Sequence, residues 1–204
     1  LFAAWATQLY ARGWLPRADL PVLILGIAAL TAIRFFTSRS LRQLLLYGFG
    51  FTQGWFLGPL VRHYAAINPS SINQAVLASV ALFAAFTGSA LVVERRAYLY
   101  IAGVILALSL MGIGLWFMSW WGFGVFLYQI MIGLTISCFY VIFDTQIMIE
   151  QFESGTENDP IQHAAALFIN LIGILGRMII ILNQDRGQRP RRKSQEEKHH
   201  RGPL

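Results

Sequence analysis

Apolar and polar positions fall in long blocks along this chain, not in short periods. Apolar stretches cover residues 20–36, 44–64, 72–93, 97–116, 125–146 and 161–182, with a shorter one over 1–10. Most approach the roughly 20 residues that cross about 30 Å of hydrocarbon at 1.5 Å per residue. A soluble helical core would need several helices with no polar face at all. The blocks predict an all-α membrane protein with seven hydrophobic segments. The short first one, which starts without Met inside an apolar run, is read as the end of a truncated helix. Residues 1–183 form one transmembrane domain in this reading, and 184–204 a basic disordered tail.

The punctuation between blocks fits. Arg34, Arg39 and Arg42 make a basic loop, and Glu94-Arg95-Arg96 ends a later segment. Asn68-Pro69-Ser70 reads as a turn, with Ser70 or Ser71 as N-cap of the next helix. Trp120 and Trp121 suggest an interfacial belt. The acidic connection Glu150–Asp159 carries Gly155 and ends at Pro160. Within the blocks, Gly50, Gly54 and Gly58 recur every four residues, and Ala78, Ala81, Ala85 and Gly88 every three or four. Both sets put small residues on one helix face, where a neighbouring backbone can come close. Pro59 is expected to kink its helix.

Composition agrees. The 204 residues are 56% hydrophobic and 13% charged, where a soluble domain carries roughly a quarter charged residues. The net charge of +6 comes largely from the tail, with seven Arg or Lys against three acids after Asn183. Basic cytosolic segments are usual in membrane proteins, so no nucleic-acid partner is inferred; the lipid bilayer is. The single Cys138 excludes an internal disulfide. By parity the Arg34–Arg42 and Glu94–Arg96 loops share one side, which the positive-inside rule makes cytosolic. A full crossing by 161–182 then puts the basic tail on the other side, whereas the rule itself favours a cytosolic tail through a re-entrant last segment.

Few residues could carry chemistry. No G-x-S-x-G, H-E-x-x-H or phosphate-binding glycine loop is present, and the expectation is that the chain is not an enzyme and holds no cofactor. Asp144 closes a span where charge is costly unless it faces protein or water. It is either a solvated helix-end residue or a carboxyl whose proton responds near physiological pH. Asn170 interrupts the last segment, and His163, Asn170 and Arg177 at steps of seven share a face. Asn170 either glues helices together or serves a site. Arg177 is expected to snorkel to an interface. Arg34 and Arg42 lie on the side of Asp144, as ordinary positive-inside arginines or as partners for it. Glu150 and His163 are secondary candidates.

Four stretches carry a resemblance. They are Gly58-Pro59 through Ile67-Asn68-Pro69-Ser70; Glu94-Arg95-Arg96-Ala97-Tyr98-Leu99-Tyr100 to Gly103; Val141-Ile142-Phe143-Asp144-Thr145-Gln146 with Ile149-Glu150; and His163 through Leu167-Phe168-Ile169. In order and spacing the chain resembles the Bax-inhibitor-motif family, in the branch named for Bax inhibitor one. The resemblance implies a seven-helix bundle with the last helix central. It implies calcium leak across the endoplasmic reticulum membrane (or a bacterial inner membrane) and suppression of cell death, with regulators of the Bcl family as possible partners. It further implies a pair of aspartates sharing a proton, one at the end of the sixth helix and one in the seventh. Asp144 matches the first. Asn170 stands at the second, so this chain is expected to hold one carboxylate where its relatives hold two, with altered pH regulation. Asp144 would also be the transient calcium ligand, through a hard oxygen. The family's arginine latch on the second helix has no direct counterpart; Arg34 and Arg42 stand in by side alone. The competing reading is a non-conducting scaffold that modulates cell-death regulators, other channels or membrane proteases.

Overall fold

The structure, a computed structural model, describes the backbone of residues 2–15, 20–36, 38–92, 97–155 and 159–200, and the side chains of those ranges apart from 97–98 and 185–200. The Glu94-Arg95-Arg96 turn and residues 156–158 of the acidic connection lie outside the described residues. Seven helices follow in order among them: α1 (Phe2–Ala11), α2 (Leu20–Phe35), α3 (Arg39–Ile67), α4 (Pro69–Val92), α5 (Ala97–Trp120), α6 (Phe126–Glu153) and α7 (Pro160–His200).

Their exterior is apolar and their interior is mixed, the reverse of a soluble protein. Leu106, Leu110, Ile113 and Trp116 of α5 are exposed, as are Leu77 and Leu91 of α4. Buried instead are Thr52, Ser71, Ser79, Ser137, Thr145, Gln146 and Asn170. Water cannot accept such an arrangement; hydrocarbon requires it. Five helices, α3 to α7, are long and apolar enough to cross a membrane, and α2 is a shorter apolar helix. The chain is an all-α, multi-pass membrane protein.

The termini of the helices follow from local chemistry. Gly155 adopts φ 65°, the left-handed conformation glycine takes at no steric cost, and so ends α6. Asp159 then starts α7: its Oδ1 accepts the N–H of Ile161 at 3.2 Å, and Pro160 fills the first helical position. At the start of α4 a proline again fills the first helical position, and the helix begins two to three residues earlier than a cap at Ser70 or Ser71 would place it. Pro69 is the first helical residue, so Ser70 and Ser71 lie inside the helix and their hydroxyls donate back to Asn68. Helix α3 runs unbroken through Pro59. Helix α7 does not stop at Leu182 either: its backbone stays helical to His200, through most of the segment read as a tail, and residues 201–204 lie outside the described residues. Gln, Arg, Lys and Glu dominate that stretch, and all are good helix formers.

The last helix is central in that α2, α3, α4 and α6 all pack on it. Helices α1 and α5 sit outside that group, against α3 and α6 respectively. Cys138, Val141 and Ile174 form the buried centre of α6 and α7, with Leu82, Phe83 and Phe86 of α4 against them. The glycine face of α3 packs closely at Gly54 and Gly58 but not at Gly50, where a Cβ would meet only the ring of Phe168 at 4.0 Å. A Cβ on Gly54 would collide with the backbone of Ala3, one on Gly58 would meet the ring of Tyr10 at 2.7 Å, and Thr7 Oγ1 donates to the Gly54 carbonyl at 2.8 Å. The small face of α4 does not. Ala81, Ala85 and Gly88 are exposed, and α4 packs through Ser71, Ala75, Ser79 and Ala90. Spacing alone marked both faces as able to pack closely; only α3 has a partner on its face.

Candidate functional site

Helices α6 and α7 run antiparallel and exchange three side-chain contacts. Nε2 of His163 lies 3.0 Å from Oε1 of Gln151. Asn170 Nδ2 donates to Asp144 Oδ2 at 2.6 Å. Arg177 Nη1 donates to Ser137 Oγ at 3.0 Å and to the Gly173 carbonyl at 2.9 Å. The α6 members, Ser137, Asp144 and Gln151, are seven residues apart, as are His163, Asn170 and Arg177 on α7. A step of seven is close to two turns, so each set holds one seam between the two helices. The seam is thus a ladder of three polar rungs, with apolar packing between them.

The central rung is the most specific. Asn170 is 8% exposed, and a buried amide needs a partner. An ionised carboxylate can only accept, so the amide nitrogen must be the atom that faces it. The neighbours of Asp144 in sequence point elsewhere. Thr145 donates to the Val141 carbonyl at 2.7 Å, and Gln146 reaches the Ala90 carbonyl of α4. The consecutive Asp144, Thr145 and Gln146 therefore tie α6 to α7, to itself and to α4.

The lower two rungs open onto a cavity of ≈ 750 Å³ between α3, α6 and α7. Its polar wall is Asp144, Asn170, Gln53, Tyr140, Ser137 and Arg177; the rest is apolar, with Phe56, Leu57 and Ile169 among its lining. A second, polar cavity of ≈ 790 Å³ lies beyond the His163 rung, where α2, α3 and the start of α7 meet, and Ala166 borders both. Among the described residues no three His, Cys, Asp or Glu side chains converge as a resident metal site requires.

Asp144 and Asn170, expected to act together, are brought together. His163 joins their ladder one rung away. Arg177 does not snorkel: its guanidinium folds toward the start of its own helix, against Gly133 and Ser137 of α6, inside the span. Gly133 makes this possible, since a Cβ there would overlap the guanidinium. Arg42, a candidate latch for Asp144, is ion-paired with Asp159 instead, and its Nε donates to the Ile33 carbonyl at 2.9 Å. Arg34 lines the polar cavity and forms no ion pair with Asp144 among the described residues. Asp159 and Asn170, the partner of Asp144, are eleven positions apart, roughly 16 Å of helix, so Arg42 paired with Asp159 does not also reach Asp144. Glu150 is exposed on α6, away from both cavities. Ser137, Gln151, Gln53 and Asp159 were not anticipated. The first two had a readable signal, the step of seven through Asp144; Gln53 and Asp159 had none.

Known proteins resemble this chain in sequence. A sequence model of the family described as "Inhibitor of apoptosis-promoting Bax1" matches residues 1–187. The Bax inhibitor 1 of Bos taurus is 37% identical over 154 residues, covering 73% of this chain and 64% of the bovine protein. That of Drosophila melanogaster is 32% identical over 154 residues, covering 74% and 62%. That of Oryza sativa is 28% identical over 182 residues, covering 85% and 70%. The chain thus spans a little under two thirds of the animal relatives it matches.

Proposed function

The chain belongs to the family of inhibitors of apoptosis-promoting Bax1, and on that footing we propose that it is a calcium-permeable leak channel of an intracellular membrane, the endoplasmic reticulum in a eukaryote, related to suppressors of programmed cell death. The carrying observation is the Asp144–Asn170 rung at the wall of the ≈ 750 Å³ cavity. It sets one carboxylate inside the bundle, held by an amide and bordering open space. Carboxylate in such a place is costly and marks ion or proton pathways in membrane proteins. Calcium is cargo here, met briefly by the oxygens of Asp144. The protein is a conduit and not an enzyme in this reading; the names of its relatives point to Bax as a cell-death partner, and other Bcl-type regulators are proposed beside it.

Asn170 defines how the leak answers to pH. Two facing carboxylates cannot easily ionise together and titrate as a unit. An amide cannot ionise, so the rung holds one titrating proton. Flux should rise with pH as Asp144 frees its lone pairs, with the slope of a single group. The test is the full chain in calcium-loaded vesicles, with flux followed across pH. Flux with a one-proton slope, lost in Asp144→Asn, supports the proposal. No flux in a purified lipid-only system favours the scaffold reading instead.

A further inference from the structure

We propose that the corner between α2 and α3 is a binding site for a phosphate-bearing anion, built from Arg34, Arg39 and Arg42. All three line the polar cavity of ≈ 790 Å³, whose lining includes one carboxylate among the described residues, Asp159. That carboxylate is fully occupied. Its Oδ1 accepts the Ile161 N–H at the start of α7, and its Oδ2 is ion-paired with Arg42. It therefore neutralises Arg42 and leaves two guanidinium charges in the cavity. The side chains of Arg34 and Arg39 are exposed and make no hydrogen bond or ion pair among the described residues.

The placement of Arg39 and Arg42 is unusual in itself. They sit in the first turn of α3, which has no acidic residue there, and Ser38 at the N-cap makes no side-chain cap bond. The start of a helix carries partial positive charge from its free N–H groups, so acids or bound anions belong there and cations raise the energy. An anion in the cavity would answer the uncapped helix start and the two free guanidinium groups together. A positive-inside signal asks only for arginines on one side of the membrane; it does not require them to converge on one cavity. The forked donors of guanidinium grip two oxygens of a phosphate or a carboxylate, a geometry chloride does not offer, and the higher charge of a phosphate suits two cations. Phe35 and Phe36 border the same cavity, and both are exposed (81% and 48%). An apolar rim beside a cationic floor suits a phosphate at headgroup depth, and the same chemistry would hold a free phosphate from solution.

The full chain in phosphatidylcholine nanodiscs would be titrated with pyrophosphate, and compared with discs that also contain phosphatidylinositol phosphate, by thermal midpoint and ³¹P line width. Binding should weaken by at least about tenfold in the double variant Arg34→Gln/Arg39→Gln, a loss well above screening effects. Arg62→Gln, near the other end of α3, should bind as the parent does. A response to pyrophosphate assigns a free anion, and a response to the lipid alone assigns a headgroup. Equal binding in the parent and the double variant overturns the site, as does no response beyond sodium chloride of matched ionic strength. Should the double variant misfold, Arg39→Lys keeps the charge and loses the forked donor, and must still weaken binding.

Discussion

Two seams of the bundle are built on opposite principles. Between α1 and α3 the contact is close steric packing, with Gly54 against the backbone of Ala3 and Gly58 against the ring of Tyr10. Between α6 and α7 it is side chain on side chain, through three polar rungs seven residues apart. In the first seam any added volume is a collision, but the chemistry of the neighbours hardly matters. In the second a change of shape is secondary to a change of donor, acceptor or charge. Substitutions should therefore sort by seam: those in α1/α3 should alter stability, and those in α6/α7 should alter conduction or its pH response first.

The sharpest break of that contrast is Asp144→Asn. Calcium flux should fall by at least about tenfold, as for loss of a charged ligand group, with the helical fold kept. Flux assays beside circular dichroism check it; unchanged flux removes Asp144 from the ion path. Next is Gly54→Ala, which forces α1 away from α3 and should cost about 1–3 kcal/mol, an overpacking penalty seen as a lowered thermal midpoint in detergent. Its control is Gly48→Ala on the same helix, where a Cβ meets nothing within 4 Å and stability should hold or rise slightly. Asn170→Asp should leave flux at high pH near the parent's but steepen its pH dependence toward two coupled protons. A slope that stays at one proton would mean the two positions do not share a site. The smallest effect is Ser137→Ala. Arg177 keeps its bond to the Gly173 carbonyl, so the loss should be about 0.6 kcal/mol, the average for an interhelical hydrogen bond in a membrane.

Much of this was legible in residue order. The helices lie where the apolar blocks lie, with ends moved by a few residues except at α7, which runs eighteen residues past Leu182, because the length needed to cross hydrocarbon is a property of each segment alone. Asp144 and Asn170 stood out for the same reason: a polar group in an apolar block is conspicuous without knowing its neighbours. The rungs were half visible. His163, Asn170 and Arg177 were marked by their spacing, whereas Ser137 and Gln151 are too common in type to be noticed until α6 is laid against α7. Side of the membrane is a coarse coordinate and left Arg42 open as a positive-inside arginine or a partner of Asp144; Asp159, its ion-pair partner in the fold, was hidden in an acidic loop.

What the sequence determined by itself, then, is the number, length and character of the helices, the glycine face of α3, and the two polar residues that had to find partners. Tertiary structure alone decided which partners those were. The register of α6 against α7 paired Asp144 with Asn170 and turned Arg177 inward over Gly133. The choice of neighbours left the small face of α4 open while that of α3 closed on α1. Burial in hydrocarbon is a cost each segment meets independently, and so can be read from it. Pairing depends on the relative placement of two segments far apart in the chain, and no single segment encodes it.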